Sequence, residues 1–170
     1  MKKLTLFVFL WGATLVCQGQ NVAEDFGWML GNWSGDGSTM DQESRQPVKF
    51  RQSEEISFGA GETVLIIKGL GREMASEKEV FSAAGILYWD QDAGAYKMHA
   101  FTKDSGGIIA DIELLGKQHF QWSFKVPNGR VWYEINGSSG NWKEKGSFQP
   151  DGREDKYPFL SMELSTIKES

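Results

Sequence analysis

Polar residues on strand faces that otherwise read as apolar are where this sequence could do chemistry. In the segment Gln46 to Phe58, Val48, Phe50, Gln52, Glu54, Ile56 and Phe58 share one face, while Lys49, Arg51, Ser53, Glu55 and Ser57 share the other. The first face is expected to look inward, which carries Gln52 and Glu54 in with it. Near the other end of the chain Glu144 shares a face with Trp142 and Phe148. An ionised carboxylate in an apolar interior is costly unless it is paired or hydrogen-bonded, so such a residue has a protein partner, a water cluster or a ligand. On the functional reading these side chains are the polar fixtures of a binding cavity. On the plain reading a bulge reverses the parity, or neighbouring Lys and Arg satisfy the acids. If Glu54 and Glu144 face each other across a cavity, an acid and base pair suited to isomerisation is a further reading.

Aromatic residues supply the wall of such a cavity. Phe120, Trp122 and Phe124 alternate on one face, and Tyr133 with Ile135 continues that wall across the next turn. The expected polar contacts to a ligand are Gln52, Glu54 and Glu144. The expected apolar contacts are Phe50, Met98, Trp122, Tyr133 and Trp142.

Other motifs fail on their spacing. Asp90-x-Asp92-x-Gly94 begins like a calcium loop, but Phe101 stands where a bidentate glutamate is required, so a turn is expected. Gly69-Leu70-Gly71 lacks the third glycine and following helix of a dinucleotide fingerprint, and reads as bends in a strand. Asn32-Trp33-Ser34 and Asn136-Gly137-Ser138 match the glycosylation triplet, which recurs by chance. The two histidines, His99 and His119, fall on different strands without cysteine or acidic neighbours at metal-ligand spacing, so no metal site is expected. No nucleophile carries a hydrolase context.

The elements that position these residues are strands. After the Trp33 strand and Gln46 to Phe58, strand patterns run over Thr63 to Gly71, Val80 to Trp89, Tyr96 to Lys103 and Ile108 to Leu115. They continue over His119 to Val126, Val131 to Ile135, Asn141 to Gln149 and Phe159 to Ile167. Short turn sequences such as Asp90-Gln91-Asp92-Ala93-Gly94, Asp104-Ser105-Gly106-Gly107 and Pro127-Asn128-Gly129-Arg130 separate them. About ten strands in a meander, with no long amphipathic helix, predict an all-β fold: a single antiparallel up-and-down barrel whose closure removes exposed edges. A Greek-key sandwich needs longer crossovers.

The chain has 170 residues, 13% aromatic, with 20 glycines, room for one ordinary domain. Lys2 and Lys3, an apolar run from Leu4 to Val16 and a small or polar end follow the plan of a secretory signal peptide over residues 1–19, leaving a single domain over residues 20–170. Lipidation of Cys17 is the rival reading of the same leader. Because Cys17 is the only cysteine, the barrel itself would have no disulfide. A net charge of −5 spread without blocks argues against nucleic acid or anionic lipid as partner. No later run reaches the roughly eighteen apolar residues of a membrane helix, so no membrane insertion is expected. The localisation expected is periplasmic or secreted.

The stretch Phe26-Gly27-Trp28-Met29-Leu30-Gly31-Asn32-Trp33-Ser34-Gly35-Asp36-Gly37 reads as a short helical plug, a sharp turn at Gly31 and a first strand opened by Trp33. Gly35 and Gly37 are expected to let that strand bend. Gly31-x-Trp33 resembles the Gly-x-Trp signature that opens lipocalins and other calycins, and the form extended through Gly35 and Gly37 is similar to the nitrobindin-like branch. The resemblance implies a calycin-like barrel of a secreted bacterial kind that binds a small apolar or amphipathic molecule. Relatives of the nitrobindin kind hold haem through a histidine near the chain end. Tyr157-Pro158-Phe159-Leu160-Ser161-Met162-Glu163-Leu164-Ser165 has none, so no cofactor is expected, and haem chemistry would fall to His99 or His119. Nor is there the closing arginine that stacks on the opening tryptophan of many lipocalins; Lys168 is the nearest cation. Binding, rather than catalysis, is the function expected, with enzyme or filled structural barrel as alternatives.

Overall fold

Alternation of apolar and polar residues, interrupted every eight to thirteen residues by turn sequences, folds into ten strands in the computed structural model, which describes residues 21–41, 44–103 and 106–167. The leader, Cys17 and Lys168 lie outside the described residues. The strands are β1 (Gly31–Met40), β2 (Pro47–Gly59), β3 (Val64–Glu73), β4 (Glu79–Asp90), β5 (Ala95–Thr102), β6 (Gly106–Gly116), β7 (His119–Val126), β8 (Gly129–Asn136), β9 (Trp142–Pro150) and β10 (Tyr157–Thr166). Each pairs antiparallel with its sequence neighbour, and β10 returns to β1, from Trp33 opposite Thr166 to Thr39 opposite Leu160, to close the barrel. The fold is thus the all-β up-and-down barrel expected. Asp90-Gln91-Asp92-Ala93-Gly94 is a turn, in which Asp90 Oδ1 accepts from the backbone N–H groups of Asp92 and Ala93 at 3.0 Å each.

Ladder irregularities fall between Gly71 and Arg72, between Leu114 and Gly116, and between Pro158 and Leu160. None interrupts β2 over Phe50 to Ile56, so Phe50, Gln52, Glu54 and Ile56 are all buried on the inner face while Arg51, Ser53 and Glu55 are exposed. Trp142 and Glu144 of β9 are likewise buried, with Lys143 and Lys145 outside.

One end is plugged. Helix α1 (Val22–Phe26) starts where the Asn21 side chain accepts from the Ala23 N–H at 3.0 Å, and a 3-10 turn over Gly27–Met29 carries the chain on towards β1. Phe26 and Met29 are fully buried. The Phe26 ring meets Tyr96 and Phe120 edge-on at 4.9 and 5.1 Å, and the Tyr96 hydroxyl donates to Asp25 Oδ2 at 2.5 Å. The Trp33 indole N–H donates to the Met29 carbonyl at 2.7 Å, and its ring packs edge-on against Trp142 at 6.0 Å. Plug and first strand are therefore held by one buried tryptophan, whose N–H satisfies a carbonyl left over at the end of the turn.

Gly31, at φ +109°, makes the sharp turn expected of it, a conformation that side chains oppose. Gly35 and Gly37 serve close approach. A β-carbon on Gly35 would overlap the Glu163 carbonyl of β10, and one on Gly37 would overlap the Phe50 ring.

Candidate functional site

A ten-stranded ring is wide enough that its lumen fills only where the inward side chains are large. On β3 to β6 small residues, Gly69, Ala83, Gly85, Ala100 and Gly106, are interspersed with larger ones such as Ile67, Phe81, Leu87 and Met98. On β7 to β9 the lining is aromatic, with Phe120, Trp122, Phe124, Tyr133 and Trp142. The mismatch leaves a cavity of about 240 Å³. Met29 of the plug forms part of its lining, as do the exposed Thr102 and Gly106 at the opposite end of the barrel. Within the aromatic wall, Trp122 and Tyr133 are cross-strand partners stacked at 4.2 Å with 12° between their planes.

The polar corner is built on two glycines. Glu54 is paired with Gly69 across the β2–β3 ladder, and Gln52 with Gly71. A β-carbon at Gly69 would lie 2.7 and 2.8 Å from the two Glu54 carboxyl oxygens, and one at Gly71 would lie 2.5 Å from Gln52 Oε1. The glycines are thus the cradle in which both side chains lie, a different role from the strand bends expected of them. Gln52 Nε2 donates to Glu54 Oε1 at 2.7 Å. Gln52 Oε1 and Glu54 Oε2 are buried and meet no hydrogen-bond donor among the described residues. Burial pushes the Glu54 carboxyl up to about 7, with the Gln52 amide pulling the other way.

Glu144 lines the same cavity. Its Oε2 accepts from the Trp142 indole N–H at 3.1 Å. Burial first, and the charge of Glu54 second, push its carboxyl up to about 8, against the pull of the indole. Tyr133 is raised above the ordinary phenol range by burial and then by Glu144. Two carboxyls far apart in the chain therefore interact electrostatically in one apolar chamber. No Lys, Arg or His lines it among the described residues.

All eight residues expected to contact a ligand, Phe50, Gln52, Glu54, Met98, Trp122, Tyr133, Trp142 and Glu144, line this cavity. Neither histidine lines it. His99 lies tilted against Phe101, with ring centroids 4.3 Å apart, and pairs across the sheet with the exposed Ile86 and Ile109, and His119 Nε2 lies 2.8 Å from Glu134 Oε1. Sequence reasoning missed Gly69, Ala83, Gly85, Ala100 and Met162, which also line the chamber. The signal for the first four was present: small residues at alternate positions, Gly69 with Gly71 and Ala83 with Gly85, on the face that elsewhere carries large apolar side chains.

Comparison with known proteins gives a fold without a family. No protein-family model matches the chain, and no curated protein matches it. Among solved structures it is similar to Rv2717c from M. tuberculosis, at 13% identity and a TM-score of 0.64 over 86% of this chain and 98% of that one. It is also similar to the S-type phycobiliprotein lyase CPES from Guillardia theta, at 11% identity and a TM-score of 0.58 over 89% of this chain and 94% of that one. Both are calycin-like ten-stranded barrels, and at these identities the likeness is one of fold.

Proposed function

We propose that this chain is an exported calycin-like barrel that binds a small, mostly apolar molecule carrying one or two polar groups in its interior. The observation that carries the reading is the pair of buried, unpartnered oxygens, Gln52 Oε1 and Glu54 Oε2, on a cavity of about 240 Å³. A polar atom taken out of water without a partner costs about 1 to 3 kcal/mol, and a ligand that pairs with it recovers that cost. The cavity lies just below the range of about 300 to 1,000 Å³ typical of pockets for drug-sized molecules, which suits a compact ligand. Export is part of the proposal and rests on the leader plan of residues 1–19.

The test is a screen of small apolar acids, amines and alcohols read by tryptophan fluorescence, since Trp122 and Trp142 line the chamber. Saturable binding by at least one class is expected, altered in Glu54→Gln or Glu144→Gln with the fold retained. A screen without any saturable binder removes the proposal.

A second reading is enzymatic. It is favoured by two carboxyls raised to about 7 and about 8 on one cavity, values at which one can hold a proton and the other release it near neutral pH. That one structural neighbour is named a lyase keeps this reading alongside binding. Turnover of a bound probe, abolished in both glutamine variants, would establish it.

A further inference from the structure

The chamber's polar groups are unbalanced. Glu54 and Glu144 bring two carboxyls, and Gln52 brings a free carbonyl oxygen, whereas the N–H donors are already engaged, Gln52 Nε2 with Glu54 Oε1 and the Trp142 indole with Glu144 Oε2, which leaves the neutral Tyr133 hydroxyl as a donor in the lining. Gln52 is only 5% exposed and Glu54 only 8%, so water outside the barrel does not solvate them freely. No cationic side chain lines the cavity among the described residues, and the titratable groups that do line it are Glu54, Glu144 and Tyr133. A buried acid is relieved by a Lys or Arg partner or by holding its proton; no Lys or Arg is found in this lining, so the carboxyls hold protons that an entering cation can displace. The missing half of the site is a hydrogen-bond donor with positive charge.

Resting on the ligand-binding proposal above, we infer that the ligand is an organic cation, a primary amine or amidinium on a short aromatic or branched apolar body. Its N–H groups are received by Glu54 Oε2 and Gln52 Oε1, and its charge favours release of the Glu144 proton, so that a second carboxylate joins the site on binding. Its apolar body lies against the Trp122 and Tyr133 side of the chamber, where the aromatic faces bury it. An anionic ligand would meet two acids without a counter-charge, and a neutral alcohol would offer a single donor to two waiting acceptors. The repulsion by Glu54 that helps keep Glu144 protonated is relieved when a cation sits beside them.

Calorimetric titration of the full chain with phenethylamine, phenethyl alcohol and phenylacetate at neutral pH tests this. The amine is expected to bind about tenfold or more tighter than the other two, a difference of about 1.4 kcal/mol or more. Glu54→Gln and Glu144→Gln are each expected to lose about tenfold for the amine and less for the alcohol, so that the preference for the amine narrows. Equal or tighter binding of the alcohol or the carboxylate overturns the cation assignment and leaves interior binding standing. Unchanged amine affinity in Glu54→Gln does the same. Absence of binding by all three probes overturns the cation assignment, and the broader screen then decides the cavity reading separately. Should a glutamine variant fail to fold, the ranking of the three probes on the wild-type chain decides.

Discussion

Glu54 lies across the β2–β3 ladder from Gly69, and both its carboxyl oxygens occupy space that a side chain at position 69 would need, 2.7 and 2.8 Å from where the β-carbon would sit. Gly69→Ala must therefore push the carboxyl off its seat. Because the displaced atoms are the end of a flexible side chain, the barrel should still form, at a cost of about 1 to 3 kcal/mol for overpacking. Ligand binding should weaken more than in a surface control such as Ser161→Ala. Thermal unfolding and a binding titration on the same sample check both; an alanine variant with wild-type affinity would show that the seat does not matter.

Trp33 joins plug to barrel. Trp33→Ala should lower stability by about 3 to 5 kcal/mol, as for other buried tryptophans. Trp33→Phe keeps a ring but leaves the Met29 carbonyl without the indole donor at 2.7 Å, and should cost about 1 to 3 kcal/mol. Denaturant midpoints give both numbers, and phenylalanine as tolerated as tryptophan would deny the hydrogen bond any role.

The plug has a second tether in the Tyr96 hydroxyl, which donates to Asp25 Oδ2 at 2.5 Å. Tyr96→Phe should cost about 1 kcal/mol globally and more locally. Amide exchange in residues 22–29 should quicken while that of β7 and β8 stays as it was. Uniform quickening would place the effect in the whole barrel.

Stability should fall as pH rises. Glu54 and Glu144 have native values of about 7 and about 8 against an ordinary 4.5, so between 4.5 and 8 the native state holds more protons than the unfolded chain. Stability from these groups is fully present below about pH 4.5 and is lost through pH 7 to 8. At about 1.4 kcal/mol per unit the loss is on the order of a few kcal/mol for each group. Glu144→Gln should flatten the profile and raise stability at pH 8, because a neutral amide avoids burying a charge. A variant with the same slope as wild type would remove Glu144 as its source.

Export predicts that the mature protein starts near residue 20, after cleavage close to Gly19. Intact mass of the exported protein measures this. Retention of residues 1–15, or a lipid on Cys17, contradicts it.

Much of the barrel was legible in the chain because strand alternation is a local property with a period of two. Val48, Phe50, Gln52, Glu54 and Ile56 declare one face whatever lies elsewhere, and the turn residues between Trp89 and Tyr96 declare a hairpin. Gly31 and Trp33 mark the junction of plug and first strand by the same local logic. From these, the sequence by itself determined the strand count, the meander and which polar residues point inward. It did not determine what they meet. Whether Glu54 reaches Glu144 depends on the registers of the ladders that close the ring, and every one-residue slip in them would turn a strand over. That Gly69 and Gly71 cradle Glu54 and Gln52 follows from pairing across β2 and β3, and no pattern within β3 alone carries it. The cavity is still less local, for it is the difference between the space enclosed by ten strands and the volume of all the side chains directed into it. Only the tertiary structure decided that difference, by setting small residues of β3 to β6 in the same lumen as the aromatic wall of β7 to β9.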